Sequence, residues 1–259
     1  MPIIQLLRLE TLGMPPIMPS LTNSNAGSSP TSVWAPTMMP DCTLWLRPDV
    51  GFVPNTSWAD QIQGFVFPYT SLGGSTAVLT NNINGHKSVT TTVGANGFFS
   101  SSGISVLSNI VSASAWTFLT VFQYTGVVTP SIGSGYNNPS ILVDHNGYWW
   151  QSVSTTNYGS GQYSGANHED DTTIVSSGTY YVLTYFDGGH IYTSLNGGPF
   201  DAGTAVGNIS VLTNYFNILT NYNGTSSMAG SVGDIVVWNQ NVSQYAPQIF
   251  AWVHSRWGF

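Results

Sequence analysis

Residues 115–125 read AWTFLTVFQYT, and the alternation within them decides the fold. On an extended chain successive side chains point to opposite faces, so Trp116, Phe118, Thr120, Phe122 and Tyr124 share one face while Thr117, Leu119, Val121 and Gln123 share the other. Both faces carry apolar groups, which predicts a central strand covered on both sides. Similar short runs recur throughout the chain, among them TLWLR (43–47), GFVFPYT (64–70), SILVDH (140–145), TYYVLTYFD (179–187) and VGDIVVWN (232–239). Gly, Asn and Pro punctuate them, and DGG at 187–189 and NGG at 196–198 predict hairpin turns.

About a dozen candidate strands without helical patterns between them exclude a parallel α/β sheet and predict an antiparallel sandwich or barrel. One helical pattern stands at the end of the chain. Tyr245, Ile249, Trp252, Val253 and Trp257 draw a single apolar stripe, Pro247 fits only a first turn after Ala246 as N-cap, and Gly258 fits a C-terminal stop. His254 and Arg256 fall toward the polar side, where solvation or capping of the last carbonyls is expected.

Composition narrows the partners. Of 259 residues only 6% are charged, with one lysine (Lys87) and three arginines (Arg8, Arg47, Arg256) against eleven carboxylates, for a net charge of −7. Phosphate backbones need clustered cations, so nucleic acid is not an expected partner. No apolar run reaches the roughly 20 residues that span a bilayer. The single cysteine, Cys42, allows no intrachain disulfide and reads as a small buried residue, and no secretory leader is expected. Four sequons, at Asn55, Asn208, Asn223 and Asn241, read as chance in a chain this rich in Asn, Ser and Thr.

Residues 1–40 hold seven of the fourteen prolines together with spaced apolar side chains such as Ile3, Leu6, Leu7, Ile17 and Trp34. They read as an extended arm, either a solvated leader or a segment that docks on a partner, followed by one folded domain over 41–259.

Several ordered pieces of that domain resemble a known family. LWLRPDVGF (44–52) followed by SWADQ (57–61), NINGHKSVTTT (82–92), the strand at 115–125, the hairpin at 180–198 and the closing GDIVVWNQNVSQYAPQIFAWVHSRWG (233–258) are similar to the concanavalin A-like, laminin-G-like jelly-roll domains of phage and bacterial surface proteins. The resemblance implies an all-β antiparallel sandwich with one short C-terminal helix. It implies glycan binding, glycan hydrolysis or assembly as functions, and leaves the choice to the site.

The stretch GYWWQSVSTTNYGSGQYSGANH (147–168) offers Tyr148, Trp150, Tyr158 and Tyr163 as sugar-stacking candidates, with Asp144 and Asn146 as hydrogen-bonding neighbours. The competing reading places the adjacent tryptophans in the sandwich core. Glu169, Asp170 and Asp171, in a loop-like NHEDD, form a weak calcium candidate without EF-hand spacing, and no cofactor is expected. Glycoside hydrolysis requires two facing carboxylates, and the paired acidic strand pattern is missing, so no catalytic residues and no enzyme activity are expected. The composition, arm and resemblance together predict a virion structural or surface protein, such as a capsid decoration, head fibre or tail component. Its partners would be other virion proteins or copies of itself, with surface glycans as a further ligand. A free carbohydrate-binding lectin of cellular origin is the alternative, with a glycan hydrolase ranked below it; the expected location is the virion surface, otherwise extracellular.

Overall fold

The hydrophobic alternation at 115–125 becomes β8, the strand on which two sheets and two cores are organised. The computed structural model describes residues 34–71, 73–91, 97–100, 110–129, 140–144, 149–153, 157–173, 177–210, 216–220 and 227–259. One sheet runs in the order β15 (Thr204–Ala205), β14 (His190–Leu195), β13 (Gly178–Phe186), β8 (Trp116–Thr129), β17 (Ser227–Trp238), β6 (His86–Thr91) and β5 (Ala77–Ile83), with β1 (Cys42–Leu46) also paired to β17. The facing sheet runs β12 (Asn167–Thr173), β11 (Asn157–Tyr163), β10 (Trp149–Val153), β9 (Ser140–Asp144), β16 (Phe216–Ile218), β7 (Phe98–Ser100), β4 (Val66–Thr70), β3 (Ser57–Ala59) and β2 (Phe52–Val53). Every pairing within them is antiparallel.

Trp116, Phe118, Phe122 and Tyr124 of β8 enter the core between the sheets, where Trp149 meets Trp116 and Phe118 edge-on at 5.6 and 5.9 Å. Leu119 and Val121 point the other way, into a second core beneath the C-terminal helix α1 (Ala246–Trp257). The helix buries Ala246, Ile249, Trp252, Val253 and Trp257, the expected stripe with Ala246 in place of half-buried Tyr245. Its N-cap is Tyr245, one residue before the expected position, because a 3₁₀ turn over Ser243–Tyr245 leads into it. Gly258 ends it in the left-handed region at φ 69°, where a Cβ is unfavourable.

Residues 34–40, expected as the end of the arm, pack with the domain. Trp34 stands edge-on to Trp252 at 6.0 Å, Trp238 Nε1 donates to the Pro36 carbonyl at 3.3 Å, and Gln240 Nε2 donates to the Pro40 carbonyl at 3.1 Å. The folded unit accordingly begins at Trp34, and the rest of the expected arm, 1–33, lies outside the described residues.

The Trp-x-Asp segment also has a structural task. Trp58 is fully buried and donates from Nε1 to the Arg47 carbonyl at 2.9 Å. The Asp60 carboxylate accepts the backbone N–H groups of Trp45, Ile62 and Gln63 at 2.7, 3.2 and 2.6 Å, which pins the loop after β3 to β1.

Trp252 touches Trp34 and Trp45 and carries Arg256 over its ring. Trp252→Ala should cost about 3–5 kcal/mol in urea unfolding, and a variant as stable as the parent would show that the helix does not seal this core.

Candidate functional site

A change of partner along one side of β17 opens a chemically varied cleft among the described residues. Along one side, β17 pairs with β1 through Ile235, Val236, Val237 and Trp238, then with β6 through Ser231 and Val232. Both partners run antiparallel to β17, so β1 and β6 lie end to end in the same direction and leave a gap beside Gly233 and Asp234. The chain departs at Arg47 where β1 stops and returns at His86 where β6 begins. Gly233 is required there because a Cβ would stand 2.6 Å from the Trp257 ring.

Asp234 lies fully buried at the base of this gap. Its Oδ1 accepts from Trp45 Nε1 at 3.3 Å and Arg256 Nη2 at 3.1 Å, and its Oδ2 accepts from Trp257 Nε1 at 2.9 Å and from Arg256 Nε. Burial pushes the carboxyl above its ordinary range, while the guanidinium and both indoles oppose that shift. Arg256 is therefore only 22% exposed and firmly paired, correcting the expectation of a solvated or carbonyl-capping side chain. His254 keeps the expected position: exposed, with Nδ1 3.0 Å from the Phe259 carbonyl oxygen and Nε2 2.8 Å from the Tyr181 hydroxyl.

Above Asp234 opens a cleft of about 440 Å³ lined by Asp49, Asn81, Gly85, His86, Lys87, Arg256 and Trp257. Its far wall is the β5–β6 hairpin, whose Asn84–Gly85 turn takes positive φ at both residues. Asn84 Nδ2 donates to the Trp257 carbonyl at 2.9 Å and so fastens the hairpin to the helix end. His86 is exposed and meets Trp257 edge-on at 5.7 Å. Asp49 accepts from Arg47 at 3.1 and 2.7 Å and from Arg256 at 3.0 Å. Burial alone would raise its pKa, but the two guanidinium groups outweigh burial and hold it at about 2.

Two of the aromatics proposed from sequence, Trp150 and Tyr158, are placed in the interior. Trp150 and Tyr158 are both 0% exposed, so neither can stack on a ligand from solvent. Register explains the failure: Tyr158 stands opposite Val153 and Trp150 opposite Gly161, which puts the two rings on opposite faces of their sheet. Tyr158 instead packs on Phe122 at 5.8 Å and donates to Gln151 Oε1 at 2.6 Å inside the sandwich. Tyr163 is half-buried at the end of β11. Asp144 ends β9, its backbone paired with Phe216, while Asn146 and Tyr148 lie outside the described residues.

Glu169, Asp170 and Asp171 belong to β12, paired across from Gly161, Ser160 and Gly159, so the loop expected there is a strand. Polar composition concealed it because an edge strand tolerates charge that an interior strand excludes. Among the described residues no three His, Cys, Asp or Glu side chains converge as a metal site would require. Cys42 is partly exposed, and burial, with the nearby Asp60 charge, pushes its thiol up to about 12 against the opposing effect of a backbone hydrogen bond at Leu44. Its thiolate is therefore scarce at neutral pH.

Two facing antiparallel sheets, with a helix laid over the outside of one, define a jelly-roll β-sandwich domain. No protein-family model matches the sequence, and no curated protein matches it either. Solved structures do match in fold. Domain 4 of an extracellular arabinanase from Geobacillus stearothermophilus, solved with arabinotriose, superposes with a TM-score of 0.57 at 14% identity, covering 82% of this chain and 98% of that one. The binding domain of botulinum neurotoxin serotype G gives 0.57 at 11% identity, covering 83% and 51%. A botulinum neurotoxin type C structure, from work tying that toxin's cell entry to two ganglioside molecules, gives 0.55 at 10% identity, covering 82% and 51%. The chain thus spans about half the length of the neurotoxin chains it matches.

The depressed Asp49 pKa sets a pH dependence. Because the folded state releases this proton more readily than the unfolded chain, the contribution is complete above about pH 4 and is lost as pH falls toward 2. Asp49 is one-third exposed, so solvent screening reduces the effect to about 1 kcal/mol. Asp49→Asn should flatten the acid limb of the stability profile by that amount, and an unchanged limb would show that the two arginines do not hold the carboxylate.

Proposed function

We propose that this domain is a non-enzymatic carbohydrate-binding module whose ligand occupies the cleft between the β5–β6 hairpin and the end of α1. The observation that carries the reading is the lining itself. An amide (Asn81), a carboxylate (Asp49), an ammonium (Lys87), a guanidinium (Arg256) and an exposed imidazole (His86) converge on one concavity. Sugar hydroxyls both donate and accept, and this set supplies both kinds of partner. A volume of about 440 Å³ falls within the roughly 300–1,000 Å³ of small-ligand sites. The arabinotriose and ganglioside named for the similar structures support the same ligand class.

Binding without turnover follows from the carboxylates. Among the described residues Asp49 alone brings an acid to the cleft, and two guanidinium groups keep it ionised and weakly basic. Glycoside hydrolysis by paired acids needs a second carboxyl group to protonate the leaving oxygen. The full chain should bind glycans on an array and release them chemically intact, with Asn81→Ala weakening the affinity about tenfold in calorimetry. Absence of any glycan ligand, or an Asn81→Ala variant that binds as the parent does, would overturn the reading.

The finer proposal is that the module is displayed on a virus particle, as a capsid decoration, head fibre or tail component, and is attached through its N-terminal segment to other virion proteins or to copies of itself. Low charge, the lack of disulfides and the proline-punctuated apolar residues of 1–33 support this role. Deletion should stop at Val33, since Trp34 and Pro36 contact the helical core. A chain lacking 1–33 should fold and bind glycans yet fail to join particles; normal incorporation would sink the attachment role.

A further inference from the structure

Of the four Lys and Arg residues in this chain, Lys87 and Arg256 line one cleft, and a third, Arg47, pairs with the Asp49 that lines it. Two of them are spent on the fold. Arg47 grips Asp49 with two hydrogen bonds, and Arg256 divides its donors between Asp49 and buried Asp234. Lys87 is different: it is exposed, stands where β6 begins at the gap, and forms no ion pair among the described residues. The chain's only lysine thus lines the cleft with no ion-pair partner among the described residues.

We infer that the cleft selects an acidic saccharide, whose carboxylate is met by the Lys87 ammonium while Asn81 and Asp49 hold ring hydroxyls. This deepens the carbohydrate reading of the same cleft and rests on it. The charge arithmetic favours a monoanion. Three cations face two carboxylates, and one of those, Asp234, is sealed from solvent beneath Trp257 and Arg256. One unpaired ammonium balances one negative charge. His86, exposed beside Trp257, adds its imidazole ring to the same wall. Asp49 does not cancel the preference, because both its oxygens already accept from guanidinium groups.

The test compares acids with their own neutral esters, which keep the ring and hydroxyls and remove only the charge. Methyl galacturonoside, methyl mannuronoside and sialyllactose, each a monoanion beside its neutral methyl ester, are titrated calorimetrically into the full chain. At least one acid should bind about tenfold more tightly than its ester. Lys87→Gln should abolish that difference, bringing acid and ester to the same affinity, and Lys87→Arg should retain most of it. Thermal melts should show all three proteins equally stable, as expected for an exposed side chain. Equal binding of acid and ester, with both weakened by Asn81→Ala, would overturn acid selection and leave the carbohydrate reading standing. An acid preference that survives Lys87→Gln would overturn the assignment to Lys87. If neither acids nor esters bind, nor any glycan on the array, the carbohydrate reading falls and this inference falls with it.

Discussion

A single buried carboxylate organises the half of the molecule that bears the cleft. Asp234 sits in β17 where the strand changes partner, and its two oxygens take four donors from three directions: Trp45 of β1, and Arg256 and Trp257 of the helix. Removing a buried charge from water costs several kcal/mol, and only such complete satisfaction recovers that cost. The same packing could be made from apolar side chains with comparable stability, so the effect of the carboxylate is positional. It fixes the last turn of α1 over Gly233, and this places Trp257 and Arg256 as one wall of the cleft. Asn84 then ties the opposite wall to the same helix end. Both walls thus depend on where the helix stops.

The two cores carry different kinds of order. The core under the helix is bounded by long-range polar contacts at its margin, while the core between the sheets contains them in its interior. Tyr158 and Ser160 both donate to Gln151 Oε1, and Trp116 Nε1 donates to Gln162 Oε1 at 2.8 Å, all fully enclosed. Burial raises the Tyr158 hydroxyl well above its ordinary pKa, consistent with a neutral phenol acting as donor. Such directional bonds distinguish one strand register from its neighbours, which uniform apolar packing does poorly.

This polar interior also explains which parts of the molecule were legible in the sequence. Alternation in β8 and the stripe of α1 depend on local period, so both could be read residue by residue, as could the Asp187–Gly189 turn between β13 and β14. The supposed sugar platform could not, because aromatics mixed with Gln, Ser and Gly describe a surface loop and a hydrogen-bonded sandwich interior equally well. Only the pairing of β10 with β11 decides that Trp150 and Tyr158 face apart. The cleft was hidden for a related reason: its residues come from 49, 81–87 and 256–257 and meet only through the partner switch along β17. One signal was present, however. When a chain has four cations, the position of each is informative, and Lys87 beside an Asn-Gly turn was the one to follow.

The scarcity of charge also bears on how such a cleft can discriminate. A net charge of −7 repels anions at long range, but at physiological ionic strength that repulsion decays over about 8 Å. A carboxylate in contact with Lys87 lies inside that distance and responds chiefly to the nearest charges, where cations outnumber exposed acids. Extended polyanions must instead approach with many charges at once and meet a surface with no further basic patch among the described residues. Recognition of one acidic group is thereby separated from indiscriminate adhesion to nucleic acid. A more basic domain could bind the same carboxylate more tightly, but it would lose that separation.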